Sequence, residues 1–184
     1  MTAARLTVLA GPSAVGKGTV VSALRRRHPE VVVSVSATTR DPRPGEIPGT
    51  TYFYVSEGRF DELVREGRML EWNRYGDHRY GTPREPVEEA LAQGRPVVLE
   101  IDVNGARQVR DAMPDALLVF LVPPSWEELR RRLAGRGTET DEEREERLRI
   151  ARAEMGARAE FDRIVTNSDV EEAAAELARC MGLE

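Results

Sequence analysis

The 184-residue sequence contains few of the residues on which disulfide-bonded, zinc-binding or membrane-spanning proteins depend. It has one cysteine, Cys180, and two histidines, which excludes a disulfide framework and a zinc site made of cysteine and histidine. Cys180 fits a buried position on the last helix. No apolar run approaches the ~20 residues that cross a bilayer, and the N-terminus lacks the regions of a secretory signal. We therefore expect a soluble cytoplasmic protein.

Positive charge is also in deficit. Lysine and arginine number 27 against 32 aspartates and glutamates, which gives a formal net charge of -5. This balance argues against general affinity for nucleic acid or for acidic membranes, so any anion site must be local. The length permits one sizeable core with one smaller inserted unit. Residues 41–49 are dense in proline and glycine, and the stretch is short enough to be a loop between strands.

Hydrophobic periodicity predicts that strands and helices alternate along most of the chain. Stretches rich in apolar residues at 5–10, 95–102 and 116–122 predict buried parallel strands. Residues 75–79 are predicted to form a loop, and residues 163–167 are predicted to form a fifth buried strand.

The most informative stretch is GPSAVGKGT at residues 11–19. It follows an apolar strand pattern and precedes a helical one, which is the order that a phosphate loop requires. Inward-pointing backbone N–H groups, the helix dipole and Lys17 can together hold a polyphosphate. The predicted nucleotide-binding residues are Gly11, Ser13, Ala14, Val15, Gly16, Lys17, Gly18 and Thr19.

One position of this loop departs from the usual GxxxxGK[ST] pattern. Gly18 stands where a serine or threonine hydroxyl normally helps to hold Mg²⁺, and Thr19 follows one residue later. The same GKGT ending occurs in the adenylate kinase family, which the loop resembles at this point. Thr19 is therefore the candidate for the hydroxyl on the metal side. The alternative is a glycine-rich turn that binds nothing.

Further along the chain, two arginines and two carboxylates suggest binding positions. Arg40 and Arg43 follow a β-branched run, and their planar guanidinium groups could both contact one phosphate, although solvated loop arginines are the common alternative. Glu71 lies between apolar residues, where a carboxylate is costly to desolvate unless it meets a donor. Asp102 ends a buried strand, and such strand ends face the ligand crevice of open α/β sheets.

Residues 130–149 are rich in arginine and glutamate and include two glycines that flank Arg136. This segment could move and bring cations onto a bound polyphosphate. The alternative is a surface helix stabilised by ion pairs between residues four apart. Within this segment, which would act as a lid over the bound polyphosphate, we assign a catalytic role only to Arg132, Arg136 and Arg147.

Taken in order, these motifs resemble the guanylate kinases over nearly the whole chain. The resemblance is carried by the phosphate loop, SATTRDPRPGE from Ser36, Glu71-Trp72, Tyr80-Gly81-Thr82, the Glu-Ile-Asp sequence that ends at Asp102, Pro123-Pro124-Ser125, and GRGTET from Gly135.

The resemblance implies an α/β fold. Its parts are a P-loop kinase core with a five-stranded parallel sheet flanked by helices, a small mixed α+β GMP-binding insert, and a helical lid. Within a single unit of residues 1–184, the implied boundaries are 1–35, 94–126 and 150–184 for the core, 36–93 for the GMP-binding subdomain, and 127–149 for the lid.

The resemblance also implies a reaction and its small-molecule partners. The chain would phosphorylate GMP, and also dGMP, with ATP as co-substrate and Mg²⁺ bridging the ATP phosphates in an in-line transfer. Neither nucleic acid nor a membrane is expected as a partner, and the sequence leaves the oligomeric state open.

Residue roles follow from the same resemblance. The family assigns Arg40, Arg43, Tyr52 and Tyr80 to the GMP phosphate, Ser36, Glu71, Thr82 and Asp102 to the guanine, and Asn167 to the neighbourhood of the ATP adenine. Lys17 and the lid arginines would stabilise the transferred group. A buried carboxylate suits guanine because its N1–H and N2–H₂ are donors, whereas adenine presents an acceptor at N1. Such pairing can reject the wrong base by roughly 10⁴-fold.

Two other functions fit parts of the pattern. The GKGT ending also fits a nucleoside monophosphate kinase with another base preference. Guanylate-kinase-like domains of scaffold proteins bind peptides and have lost catalysis. The present sequence, however, keeps the loop lysine and both phosphate-site arginines, and it shows no SH3- or PDZ-like segment.

Overall fold

The computed structural model describes residues 5–134 and 141–184, and its larger sheet has five parallel strands. From edge to edge the strands are β2 (Val32–Val33), β7 (Val97–Glu100), β1 (Leu6–Ala10), β8 (Leu117–Val122) and β9 (Arg163–Thr166). The apolar runs at β1, β7 and β8 form the buried centre of this sheet, as their sequences predicted.

Helices cover both faces of this sheet, which is why its central strands are apolar on both sides. Leu9 of β1 faces the cluster formed with α1 (Lys17–Arg27) and α7 (Val170–Met181). Val8 of β1 faces the opposite cluster, which includes side chains of α3 (Arg84–Ala92) and α4 (Val103–Ala112). The result is a helix–sheet–helix sandwich.

A second, mixed sheet lies between β2 and β7 in the chain. Its order is β4 (Phe53–Tyr54), β3 (Ala37–Thr38), β6 (His78–Pro83) and β5 (Met69–Tyr75), and α2 (Glu57–Arg65) joins β4 to β5. Strands β5 and β6 form an antiparallel hairpin, whereas β3 and β4 run parallel. Phe60 of α2 packs on Ala37 and Met69 to give this unit a small core of its own. The predicted fold class is confirmed.

Two predictions about local structure are wrong. Residues 75–79 are mostly strand, because Tyr75 pairs with His78 and only two residues make the turn. The polar sequence is accommodated because the guanidinium of Arg79 is buried against Glu57 and Asp61. Strand β9 is an edge strand of which only Val165 is buried.

Two further helices follow β8. Helix α5 (Trp126–Ala134) packs Leu129 and Leu133 against Ala151 of α6 (Asp141–Gly156), and a 3₁₀ turn (Ala157–Glu160) leads to β9. Ser125 caps α5, since its hydroxyl accepts a hydrogen bond from the backbone N–H of Glu128. Cys180 of α7 is half-buried against the core. Within residues 5–134 and 141–184, no helix has the length and apolar character to cross a membrane.

Candidate active site

The glycine-rich loop connects the buried end of β1 to the first residue of α1, Lys17. Gly16 caps α1 in the left-handed region with φ of +98°. A methyl group on its Cα would lie 2.6 Å from Nδ2 of Asn167, so a side chain there meets both backbone strain and a steric clash. Ala14 adopts φ of +64° although it is not glycine. The positive φ values of Ala14 and Gly16 give the loop the tight curvature that a phosphate loop requires.

Two side chains from distant parts of the chain hold this loop. Asn167, buried at the end of β9, donates from Nδ2 to the carbonyl oxygen of Val15 at 2.8 Å. Arg132 of α5 donates to the same oxygen at 3.2 Å. The structure thus places the amide nitrogen of Asn167 on the loop backbone. Its predicted position near the ATP adenine stays a prediction.

Lys17 is the only lysine in the sequence. Its Nζ donates to the carbonyl oxygens of Gly11 at 2.7 Å and Pro12 at 3.3 Å, so the amine folds back on its own loop. Burial lowers the pKa of this amine, and the carboxylates of Glu100 and Glu154 partly oppose the shift. An arriving phosphate would replace the two carbonyl acceptors with a stronger, charged acceptor.

A cavity of about 430 Å³ opens beside Lys17, between the two sheets. Its lining includes six residues that the sequence predicted for the site: Lys17, Ser36, Tyr52, Glu71, Tyr80 and Asp102. It also includes residues without a predicted role, among them Asn73, Tyr75 and Glu100. The size is that of a pocket for a small organic molecule.

Glu71 contributes a buried carboxylate to the lining of this cavity. The residue lies on β5 and is only 5% exposed, and Oε1 accepts a hydrogen bond of 2.7 Å from the Thr82 hydroxyl of β6. Burial raises the pKa of Glu71 to about 7; the Thr82 bond lowers it, and the nearby Asp102 carboxylate raises it. Burial makes the charged form of this carboxylate unfavourable, so a ligand that brings hydrogen-bond donors would stabilise it.

Asp102 connects the second sheet to the core. Its Oδ1 caps α4 by accepting from the backbone N–H of Gly105 at 2.6 Å. Its Oδ2 accepts from Nδ2 of Asn73 at 2.8 Å and from the hydroxyl of Tyr75. Both oxygens therefore have protein donors. No sequence pattern indicated Asn73 or Tyr75, because these residues meet Asp102 only in the fold.

Arg40 does not line the cavity, but it contacts Tyr52, which does. Its side chain is 8% exposed, and its guanidinium carbon lies 5.2 Å from the ring centroid of Tyr52. Two hydrogen bonds of 2.8 and 2.7 Å join its Nη1 and Nη2 to the carboxylate of Glu46, which also accepts from the hydroxyl of Tyr54 at 2.8 Å. The bond from Arg40 lowers the pKa of Glu46 to about 2.

Sequence reasoning missed the part played by Glu46, although this residue ends the quoted SATTRDPRPGE motif. Its oxygens also accept from the backbone N–H of Arg43 at 2.7 Å, so one carboxylate fixes both the loop and the Arg40 side chain. The signal was present in the charge pattern, because acidic residues within an arginine-containing loop predict ion pairs.

Comparison with known proteins decides the family. The family model described as guanylate kinase matches residues 3–184. A guanylate kinase of Thermobifida fusca is 61% identical over 94% of this chain and 88% of its own length, and one from Synechococcus sp. (strain CC9311) is 56% identical over 98% and 95%. The chain belongs to the guanylate kinase family.

Solved structures agree with this assignment. A crystal structure of guanylate kinase from Anaplasma phagocytophilum superimposes with a TM-score of 0.77 at 31% identity, covering 98% of this chain and 85% of that one. A shikimate kinase from Bacteroides thetaiotaomicron has a TM-score of 0.53 at 17% identity, over 97% of this chain and 99% of its own, and shares the fold alone. The match to guanylate kinases supports ATP-dependent phosphorylation of GMP to GDP, which confirms the predicted family and activity.

Several residues predicted for a guanylate kinase site lie outside the cavity lining. Arg43 is exposed on the loop before β4, and Thr19 is exposed in the first turn of α1. Thr82 is fully buried behind Glu71. Arg147 lies within α6, and Arg136 lies outside the described residues. The structure therefore brings six of the predicted residues together around one cavity. Their roles in binding, and those of the lid arginines, stay predictions.

The residues present fit a Mg²⁺ ion that is held mainly by nucleotide phosphates. No group of three or more His, Cys, Asp or Glu in the described ranges forms a cage for a metal. The Glu100 carboxylate lies beside the loop, with both oxygens 3.5 Å from the point where a Gly18 side chain would begin. Mg²⁺ in kinases is typically bound through one or two carboxylates together with substrate phosphates.

Proposed function

We propose that the phosphate loop binds ATP and that the cavity between the two sheets binds GMP or dGMP as the phosphoryl acceptor. The observation that carries this proposal is the position of Lys17, which belongs to the loop and also lines the cavity together with Glu71 and Tyr80. A donor phosphate on the loop would thus face an acceptor in the cavity. Phosphoryl transfer depends on such alignment.

Guanine would be selected by the buried carboxylate of Glu71. Its Oε1 already has the Thr82 donor, so its other lone pairs are open to N1–H and N2–H₂ of guanine. Ser36 and Asp102 line the same cavity and would contact the remaining base edge. Adenine would bring an acceptor at N1 to a buried carboxylate, which is unfavourable.

The GMP phosphate would lie near Tyr52 and Tyr80, which line the cavity, and near Arg40, which contacts Tyr52. The rings of Tyr52 and Tyr80 meet edge to face at 5.9 Å, and Arg40 stacks on Tyr52. Glu46 holds the Arg40 guanidinium in place, and a guanidinium offers five donors. Arg43 would reach the phosphate from its loop. dGMP would be accepted because none of these contacts involves the 2′ position.

Charge on the transferred group would be stabilised by Lys17, whose amine would leave the carbonyl oxygens of Gly11 and Pro12. Arg132, Arg136 and Arg147 are proposed to add positive charge from the lid. When bound, Mg²⁺ would neutralise phosphate charge, with Glu100 and Thr19 as the residues that would hold it. No side chain needs to act as a covalent nucleophile in this reaction.

A screen of acceptors tests the proposal. Purified protein with ATP and MgCl₂ is given GMP, dGMP, AMP or UMP, and ADP release is coupled to NADH oxidation. We expect GMP to give the highest kcat/KM and dGMP to be used as well. AMP as the best acceptor would replace this proposal with that of a kinase of different base preference, and inactivity with every acceptor would favour a binding domain.

A further inference from the structure

Gly105 lies against the carboxylate of Glu71 inside the protein. It is the third residue of α4 and is buried. A methyl group built on its Cα would lie 2.7 Å from Oε2 of Glu71 and 3.2 Å from the carboxyl carbon. Contacts below 3.0 Å are essentially absent from real side chains, so the carboxylate occupies space that exists only because residue 105 is glycine.

We propose that Gly105 is a specificity-determining position: the missing side chain allows Glu71 to take the orientation in which it recognises the acceptor base. This inference rests on the proposed role of Glu71 as the residue that binds guanine. Gly105 itself is a positioning residue, since it acts through the carboxylate and not on the substrate.

Contacts on both sides of the carboxylate support the proposal. On one side, Thr82 of β6 donates to Oε1 at 2.7 Å, which holds that oxygen in place. On the other side, the first turn of α4 approaches Oε2, and this turn is anchored by the Asp102 cap on the N–H of Gly105. The carboxylate thus lies between the Thr82 hydroxyl of β6 and the backbone of α4 at Gly105, which has no side chain.

The helix propensity of glycine also supports a role for Gly105. Glycine is an unfavourable residue inside a helix, and alanine would favour α4. Gly105 shows no positive φ that would require glycine. The close approach of Glu71 is therefore a sufficient physical reason for a glycine at this position.

Alanine at position 105 should change specificity and leave the fold intact. The atoms that its methyl group would meet are the end of the Glu71 side chain and Cδ1 of Ile101 at 3.2 Å, and both belong to flexible side chains. We expect the Glu71 carboxylate to rotate away, lengthening its bond to Thr82 and misaligning with guanine. The backbone of α4 would not need to move.

The test compares Gly105→Ala with wild type and with Gly58→Ala, a matched control. Gly58 lies in α2, and a methyl group on its Cα would meet nothing within 4 Å. We expect Gly105→Ala to lower kcat/KM for GMP by about 10- to 100-fold, mostly through KM for GMP, with KM for ATP unchanged. The GMP/AMP ratio of kcat/KM should fall with it, whereas Gly58→Ala should match wild type.

A double-mutant cycle with Glu71→Ala separates positioning from a general structural effect. In the Glu71→Ala background there is no carboxylate to displace, so adding Gly105→Ala should change the GMP/AMP ratio by less than about twofold. An equal loss in both backgrounds would overturn the inference. So would a loss of folding in Gly105→Ala that Glu71→Ala fails to reverse.

The same data distinguish failure of this inference from failure of the proposed function. If wild type itself shows no preference for GMP over AMP, the proposed role of Glu71 is wrong and the inference falls with it. If wild type prefers GMP and Gly105→Ala keeps the wild-type KM for GMP and the wild-type ratio, only the role of Gly105 is refuted.

Discussion

The hydroxyl of Thr82 donates a 2.7 Å hydrogen bond to Oε1 of Glu71, which joins two neighbouring strands behind the cavity. This bond orients a carboxylate that is almost completely buried. It also favours the charged form of Glu71, whose pKa burial raises to about 7. The protonation state of Glu71 therefore changes near neutral pH, and several properties of the protein should change with it.

Base preference should depend on pH. Guanine donors need the ionised carboxylate, so the GMP/AMP ratio of kcat/KM should rise between pH 6 and pH 8, with a midpoint near the Glu71 pKa of about 7. AMP is the reference because its phosphate titrates like that of GMP. Thr82→Val removes the bond that lowers the pKa, so its midpoint should lie higher, and Thr82→Ser should restore it. Coinciding profiles for wild type and Thr82→Val would contradict this.

The stability of the folded protein should also depend on the protonation of Glu71. It should fall as the pH rises, whereas the preference for GMP should increase. The folded protein raises the pKa of Glu71 from 4.5 to about 7, so it binds the proton more tightly than the unfolded chain does. Stability linked to this group is present below pH 4.5 and is lost as pH rises through about 7. Without nucleotide, Glu71→Gln should be more stable than wild type at pH 8 by roughly 1–3 kcal/mol.

Urea unfolding at pH 4.5 and pH 8 measures this difference directly. The gain from Glu71→Gln should be confined to the higher pH, because a neutral carboxyl and an amide differ little in the cost of burial. An equal effect at both pH values would show that the carboxylate charge is not the cause.

Backbone strain in the phosphate loop can be relieved. Ala14 adopts φ of +64°, a region that costs a residue with a Cβ about 1 kcal/mol or more. Ala14→Gly should therefore raise stability by about 1 kcal/mol, or Tm by about 3 °C. Gly16→Ala is the matched opposite change, because it adds a methyl group 2.6 Å from the Asn167 amide, and it should lower Tm. A lower Tm for Ala14→Gly would refute strain at this position.

Lys17 should matter for turnover far more than for acceptor binding. Lys17→Ala should lower kcat by roughly 100-fold or more, because a charged donor aimed at the transferred phosphate is lost. The Kd for GMP, measured by calorimetry, should stay close to wild type. As the only lysine, Lys17 can also be followed by amine-specific labelling and mass spectrometry, and ATP should protect it. Normal turnover with weakened GMP binding would reverse the assignment.

The sequence predicted those features that depend on neighbouring residues. The apolar runs of β1, β7 and β8 and the glycine-rich turn are local patterns, so both the sheet centre and the phosphate loop were predicted at nearly correct bounds. The cavity residues Ser36, Tyr52, Glu71, Tyr80 and Asp102 came from motifs and the family resemblance, and the fold brings these five together with Lys17.

Features that depend on distant residues were missed. The bond from Asn167 to Val15 spans 152 positions, and Arg79 lies in a strand because Glu57 and Asp61 of α2 neutralise it. Nothing in the sequence near Gly105 indicates that a carboxylate from β5 approaches it. Such pairings become visible only when the backbone is known, because a linear pattern contains no information about which elements pack together.

The central claim is that Glu71 selects guanine in the cavity beside the phosphate loop, and the GMP/AMP ratio of kcat/KM in wild type and Glu71→Gln tests it most directly. The amide oxygen of glutamine can still accept the Thr82 hydrogen bond. Guanine, however, would then face an NH₂ donor or an uncharged acceptor in place of a charged carboxylate. We predict that the ratio at pH 8 falls by about 100-fold in the variant, while KM for ATP stays constant. An unchanged ratio would contradict the account.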